Sequence, residues 1–371
     1  MEKKIKVLMV VFNLSVANGV SSYVMNYFRN LDHNKIIMDF VVYQDVETPY
    51  SKEIINNGGH IFKIPSIKNL QSHMNESKKI ILQGHYDIIH DNILILSYFI
   101  MHYAKAYGVP VRILHSHNSK LGETRYKEIR NRLFMPLLLG TVTDYFACSD
   151  FAAKGMFGNH SYTFIPNVIS PDRFSFNNQK RQSLRKNFHV ENKLVIGTVA
   201  RLAYQKNPFY AVDIIAALYK RNQNIEYWWV GDGNLYNQVK KKIHHEGLDN
   251  VIKLWGRRND IADLYQAMDI FFLPSIFEGL PVTAIEAQAT GLPCLVSDIV
   301  SHEFVYTDQV FFFSLKSPIK NVCDMIQRIQ NDMGTKPREK GKIRLLSSPF
   351  SSEGAGKQLI SIYRKLFRQK I

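Results

Sequence analysis

Two glutamates, Glu278 and Glu286, bracket a run that begins Gly279-Leu280-Pro281. Pro281 suits the first position of a helix, and Gly291 suits the residue that ends it. The backbone N–H groups of Gly279 and Leu280 then sit beside a positive helix terminus, a ready place for an anion. At ~1.5 Å rise per residue, the two carboxylates reach opposite ends of one extended ligand. A surface glutamate followed by an ordinary helical one would explain neither the Gly-Leu-Pro turn nor the apolar helix that carries Glu286 (Val282, Ala284, Ile285, Ala287, Ala289).

Two further loops offer matching chemistry. Arg201 and Lys206 follow an apolar strand and precede Asn207-Pro208, a good N-cap and first helical residue. Paired cations there suit a diphosphate, although loop cations taken alone more often just face water. Gly231-Asp232-Gly233 closes another strand and lets a ligand approach the backbone. By itself that is a weak signal, since any tight strand-to-helix turn uses it. No Asp-x-Asp or histidine cluster stands at an expected strand end, so no metal site or resident cofactor is expected.

The elements that position these loops follow from the apolar pattern. Strands are expected over 5–12, 38–43, 60–64, 88–90, 111–115, 145–148 and 162–165, and again over 194–200, 225–230, 251–254, 270–274, 293–297 and 310–313. Helical stretches alternate with them, which predicts an α/β chain with parallel sheets. In such sheets ligands collect at the carboxyl ends of the strands. The Pro166–Pro171 stretch and the polar run 177–185 mark a boundary. The division read from the sequence is a first domain over 1–165, a linker over 166–190, a second domain over 191–350, and a basic amphipathic helix over 351–371 that packs back on the first domain.

Length and composition agree with two globular domains. The chain has 371 residues, 46% hydrophobic and 21% charged. Its formal net charge is +15, which implies an anionic partner. Ten basic residues stand against Glu339 and Glu353 over 336–371. A second cluster, 120–132, holds Lys120, Arg125, Lys127, Arg130 and Arg132 and runs into Leu133, Phe134, Leu137 and Leu138. Basic and greasy residues in one segment suit an anionic membrane surface; a solvated helix face is the plainer alternative. Nucleic acid is not the expected partner: no RNP, helix-turn-helix or zinc pattern is present, and the aromatics do not interleave with the basic clusters. No G-x-G-x-x-G follows a strand, which excludes a standard nicotinamide site.

Met1 to Lys4 followed by an apolar run has the outline of a signal peptide, but the run stops at Asn13 and reads better as a first strand. The run 93–101 falls far short of the ~20 residues a spanning helix needs. Cys148, Cys294 and Cys323 are too scattered for a disulfide framework, so a cytoplasmic location is expected.

The run from Phe272 to Ala287 resembles the E-x7-E signature of retaining glycosyltransferases of family 4, which have the GT-B fold. Other matches follow in order along nearly the whole chain: Ala200-Arg201-Leu202 with Gln205-Lys206-Asn207, Gly231-Asp232-Gly233, Leu254-Trp255-Gly256-Arg257, and Ile165-Pro166-Asn167-Val168. The string Val111 to Asn118, ending His115-Ser116-His117-Asn118, is similar to capsule and exopolysaccharide members. The resemblance implies two Rossmann-like domains facing each other across a deep cleft. It implies that Arg201 and Lys206 hold the donor diphosphate, that Glu286 bonds the donor ribose, and that Glu278 bonds the hydroxyls of the transferred sugar. Gly231, Asp232 and Arg257 would line the base pocket. Gly19 would approach the phosphates, and His115 would contact the donor sugar near the reacting carbon. His117 competes with His115 for that position, with Asn118 alongside; His115, at the strand end, is preferred. Where family members have several glycines in the first loop, this chain has Ala17-Asn18-Gly19.

The implied activity is metal-independent, retaining transfer of a sugar from a UDP-sugar to a hydroxyl of a lipid-linked oligosaccharide for a bacterial surface polysaccharide. The enzyme would sit on the inner face of the cell membrane through its basic clusters. A UDP-sugar epimerase of the same architecture is the alternative, against which the E-x7-E loop argues.

Overall fold

Among the described residues of the computed structural model, every ladder between strands is parallel. The structure describes residues 4–371 except 16–17, 45–46, 119–120, 123–124 and 333–336. The chain divides into two compact units: Met1–Val168 with Ser352–Ile371, and Ile169–Ser351.

The first unit holds strands β1 (Ile5–Val10), β2 (Ile36–Val42), β3 (Ile61–Lys63), β4 (Ile88–Asp91), β5 (Val111–Ser116), β6 (Asp144–Ala147) and β7 (Thr163–Phe164). Its sheet order is β3-β2-β1-β4-β5-β6-β7, so the winding reverses between β1 and β4. The connecting helices are α1 (Gly19–Phe28), α2 (Pro49–Asn56), α3 (Leu70–Gly84), α4 (Tyr98–Ala106), α5 (Arg125–Leu139) and α6 (Asp150–Phe157). Both sheet faces are covered, which is why its strands read as continuous apolar runs. Val7, Met9, Ile88, Val111, Ile113 and Phe146 point into one core, while Leu8, Val10, Ile89, Leu114 and Ala147 point into the other.

The second unit holds α7 (Asn178–Asn187), β8 (Leu194–Val199), α8 (Pro208–Tyr219), β9 (Ile225–Val230), α9 (Tyr236–His245), β10 (Ile252–Gly256), α10 (Ile261–Ala267), β11 (Ile270–Leu273), α11 (Val282–Ala289), β12 (Cys294–Ser297), β13 (Val310–Phe313), α12 (Ile319–Asp332) and α13 (Lys340–Leu346). Its sheet order is β10-β9-β8-β11-β12-β13, with the reversal between β8 and β11. Trp229, Tyr227, Ile215, Val239 and Ile326 share one core beneath α8, α9 and α12.

The polar run 177–185, read from the sequence as part of a linker, is helix α7 of the second unit. Its basic face is what anchors it. Arg181 and Arg185 both bind the Asp269 carboxylate, Arg185 at 2.9 Å, and both donate to backbone carbonyls of 267–268. A helix fixed by buried guanidinium–carboxylate pairs carries no apolar periodicity to find.

The chain's last helix, α14 (Ala355–Arg368), belongs to the first unit. Leu359, Ile360 and Tyr363 join the core shared by α1 and the sheet. Gly356 permits the approach, because a Cβ there would lie 1.8 Å from the carbonyl oxygen of Asn30.

Candidate functional site

In the second unit the sequence-predicted residues gather at the winding reversal. Three backbone hydrogen bonds tie the loops together: Leu202 N–H to Asp232 O, Gly231 N–H to Gly256 O, and Ile276 N–H to Gln205 O. The loop after β8 is thereby held against those after β9 and β11, and the loop after β9 against the end of β10. Pro208 is the first residue of α8 as expected, but Asn207 is not a side-chain cap. It takes the left-handed conformation (φ 54°) and makes no side-chain cap bond, a strained turn that asparagine tolerates. Pro281 is likewise the residue before α11 rather than its first, and Gly291 follows the helix at φ 67°.

Glu278 is 5% exposed, at the turn between β11 and α11. Its carboxylate accepts from Ser275 Oγ at 2.7 Å and from Gln205 Nε2 at 3.2 Å, and it pairs with the Lys206 ammonium. Glu278 and Lys206 therefore stand as one ion-paired unit, and three protein donors bond the Glu278 carboxylate. Arg201 and Asp232 are exposed, and the Asp232 carboxylate caps the Gly233 N–H at 2.7 Å. Arg257 is exposed; Gly279 and Leu280 are buried in the turn before α11.

Glu286 projects from α11 and accepts from the Tyr265 hydroxyl at 3.0 Å. Burial pushes its carboxyl up to about 7, opposed by that hydrogen bond and by the Arg173 charge. Gly231 and Gly233 also meet a packing constraint that the sequence does not show. A Cβ at either would strike the carbonyl oxygen of Ala200 (2.1 Å) or Leu202 (2.3 Å). These glycines make room for the neighbouring loop.

The first unit places a second cluster beside its own winding reversal. Asn18 caps α1, accepting from Val20 N–H at 2.9 Å and Ser21 N–H at 3.2 Å. A Cβ at Gly19 would meet no described atom within 4 Å. Ala17 of the same loop lies outside the described residues.

His115 is the last residue but one of β5, on the face that carries Val111 and Ile113, and His90 the last but one of β4, on the face of Ile88, so the period of two brings both rings to one side. His90 Nε2 and His115 Nδ1 are 2.9 Å apart. His90 Nδ1 meets the Tyr363 hydroxyl at 2.6 Å, and the Tyr23 hydroxyl lies 3.3 Å from His115 Nδ1. His115 Nε2 is buried, with no hydrogen-bond partner among the described residues. The His117 ring stacks on His115 at 4.2 Å, and its Nε2 meets Asn92 Oδ1 at 2.9 Å. Asn118 is exposed, and its carbonyl accepts from Ser116 Oγ. Burial drives the His90 and His117 imidazoles down to about 3 and His115 well below its ordinary value, so the three are neutral.

His90, Asp91 and Asn92 were not singled out from sequence. The signal was three consecutive polar residues at the carboxyl end of a strand next to the winding reversal. Asp91, buried beside Ser97 Oγ, has a carboxyl raised by burial to about 7. Among the described residues no group of three or more histidines, cysteines, aspartates or glutamates is placed to hold a metal ion. The stacked imidazoles bond to one another and to their neighbours instead of converging on a point.

The basic cluster 336–371 is not one patch. Arg338 lies half-buried over the Phe176 ring and donates to the carbonyls of Tyr265, Met268 and Thr290, and desolvation lowers its guanidinium to about 9. Lys342 pairs with Asp172, Arg344 with Asp308, and Lys370 with Asp144. The segment is divided between the two units. Lys336, and Lys120 of the other cluster, lie outside the described residues. Helix α5 keeps the combination read from the sequence: Met135 and Leu138 are buried, while Tyr126 (75% exposed), Ile129, Leu133 (73%), Phe134 and Leu137 stand exposed beside Arg125, Arg130 and Arg132. Among the described residues no helix is long and apolar enough to cross a membrane.

Residues 179–333 match the family described as glycosyl transferases group 1. EpsF of Bacillus subtilis (strain 168) is 30% identical over 328 residues, 84% of each chain. An Escherichia coli UDP-Gal:alpha-D-GlcNAc-diphosphoundecaprenol alpha-1,3-galactosyltransferase is 27% identical over 266 residues, 68% of this chain and 69% of that protein. Among solved structures, Anabaena Alr3699/HepE in complex with UDP and glucose superposes with a TM-score of 0.79 over 97% of this chain and 99% of that one, at 16% identity. The fold is the GT-B fold of glycosyltransferases.

Proposed function

Since the chain belongs to the glycosyl transferases group 1 family, we propose that it moves a sugar from a UDP-sugar to a hydroxyl of a lipid-linked glycan in bacterial surface-polysaccharide synthesis. The observation that carries the reading is the Glu278–Lys206 pair joining the β8 and β11 loops at the winding reversal, with Glu286 on the adjoining helix. The name of the E. coli relative supports both the donor class and a diphosphoundecaprenol acceptor.

In this reading Arg201 and Lys206 face the donor diphosphate, with Glu278 holding the Lys206 ammonium in place and keeping its charge partly neutralised until the leaving group gains negative charge. The start of α11, at Gly279 and Leu280, adds its positive end. Glu286 takes the ribose hydroxyls, with Gly231, Asp232 and Arg257 around the base. Gly19 approaches the phosphates, and His115 reaches the transferred sugar. The bond from the anomeric carbon to the phosphate oxygen breaks as the acceptor oxygen adds on the same face. The acceptor proton passes to the departing diphosphate, so configuration is retained without a protein nucleophile. These cations and the helix end take the charge that a divalent metal would otherwise neutralise, and the reading includes none. Helix α5 rests on the anionic inner face of the membrane where the lipid acceptor lies, its aromatic and aliphatic side chains in the headgroup layer.

A thermal-shift series with UDP, GDP, NAD and duplex DNA, with and without chelator, tests the proposal. Stabilisation by UDP, unchanged by chelator, is expected; a ligand at about 100 times its Kd adds about 2.7 kcal/mol. A response to DNA alone would overturn it.

A further inference from the structure

The four groups around His115 fix more than its place. A neutral imidazole carries one proton, and which nitrogen holds it is set by what the other nitrogen bonds to. Tyr363 and Tyr23 are buried, and burial pushes both phenols up, so both remain protonated donors. Among the described residues the Tyr363 hydroxyl has His90 Nδ1 as its hydrogen-bonding partner, and the Tyr23 hydroxyl has His115 Nδ1.

Two directions of the chain are open. If Tyr363 donates, His90 Nδ1 accepts and His90 carries its proton on Nε2, which donates to His115 Nδ1. That Nδ1 has one lone pair, so Tyr23 at 3.3 Å shares it as the longer and weaker donor, and among the described residues the group left with no partner is a His115 Nε2–H. In the reverse direction His115 Nδ1–H donates to His90 and His90 Nδ1–H donates to Tyr363. The protons of both phenols are then stranded in a buried site, as is the lone pair of His115 Nε2. Each stranded donor bears its full desolvation cost, so the first direction prevails.

We propose that Tyr363, His90 and Tyr23 are positioning residues that hold His115 as the Nε2–H tautomer, making it a hydrogen-bond donor to an oxygen of the bound donor sugar and not a proton acceptor. The role of the Nε2–H rests on the functional reading above; the tautomer itself does not. Tyr363 belongs to α14, so the last helix of the chain sets the state of a side chain at the sheet's working edge. His117 is held separately. Asn92 Nδ2 donates to the Val10 carbonyl at 3.2 Å, so Asn92 Oδ1 faces His117 Nε2.

The tautomer is read by long-range 1H–15N correlation of histidine-labelled full-length protein near neutral pH, with His115→Gln identifying the signals. A protonated Nε2 with an unprotonated Nδ1 is expected. The Nδ1–H pattern, or a doubly protonated ring, would overturn the proposal. In Tyr363→Phe, which keeps the ring volume, the His115 signals are expected to move toward a mixture of tautomers. The transfer kcat should fall about fivefold with KM little changed, the loss of about one hydrogen bond. His90→Gln, whose amide still donates, should retain more kcat than His90→Leu. An unchanged His115 spectrum in Tyr363→Phe would remove Tyr363 from the relay. If the tautomer is found as stated in a protein that transfers no sugar, the functional reading fails and the relay stands.

Discussion

His90 is wholly buried and neutral, and its imidazole is held down to about 3 by desolvation. That state has a measurable cost in acid. In the unfolded chain an imidazole takes up its proton near pH 6.5. Between about pH 4 and 6 the unfolded state therefore carries one proton at this position that the native state lacks, and stability must fall as pH is lowered through that window. The slope is about 1.4 kcal/mol per pH unit for one group, so His90 removes about 2 kcal/mol from the first unit between pH 6 and pH 4.5. In His90→Gln this share of the acid sensitivity is absent.

The two units can be separated spectroscopically, because the chain's three tryptophans, Trp228, Trp229 and Trp255, all lie in the second. Calorimetric scans of both proteins from pH 4.5 to 8, with tryptophan fluorescence marking the second unit, isolate the transition of the first. Its Tm should drop about 4–8 °C more in wild type than in His90→Gln between pH 6 and 4.5, with parallel curves above pH 7. Parallel curves throughout would mean that His90 charges within the native protein, and the neutral histidine cluster would be wrong.

Four other perturbations test separate parts of the structure. Lys206→Met leaves the buried Glu278 carboxylate with Ser275 and Gln205 alone. It should lower the tryptophan-reported transition by about 3 kcal/mol, and adding Glu278→Gln should restore part of that loss. The Glu286 carboxyl, raised to about 7, is protonated below that value and ionised above it. UDP affinity measured by calorimetry should therefore rise from pH 6 to 8, and Glu286→Gln should abolish the rise. Gly356→Ala places a methyl group 1.8 Å from the Asn30 carbonyl oxygen and should destabilise the first unit by about 2 kcal/mol or more, read as a lower Tm. Leu133→Glu with Phe134→Glu should weaken sedimentation with anionic vesicles while leaving Tm within a degree or two, since both side chains are exposed.

The strands were legible because buried parallel sheets leave unbroken apolar runs; those over 225–230 and 310–313 match the structure residue for residue. The E-x7-E run was legible because Pro281 and Gly291 punctuate a short helix at both ends. Other features have no local signature. Helix α7 is held by Arg181 and Arg185 reaching a carboxylate more than 80 residues away. Arg338 looks like one more member of a basic tail, yet it is enclosed by carbonyls from two distant segments. The tight spaces at Gly231 and Gly233 are set by the backbone of another loop, which no sequence window contains. His115 was readable from its motif. Its partners His90 and Tyr363 were not, because they come from another strand and from a helix at the far end of the chain.

The central claim is transfer itself. The purified full-length protein would be incubated with labelled UDP-sugars and a diphosphoundecaprenol-linked acceptor in anionic vesicles, with the anomeric configuration of the product read by NMR. Label passing into the lipid fraction from one UDP-sugar, with the donor's configuration kept and without added metal, is the predicted result. No transfer from any UDP-sugar, or a product of inverted configuration, would contradict the account.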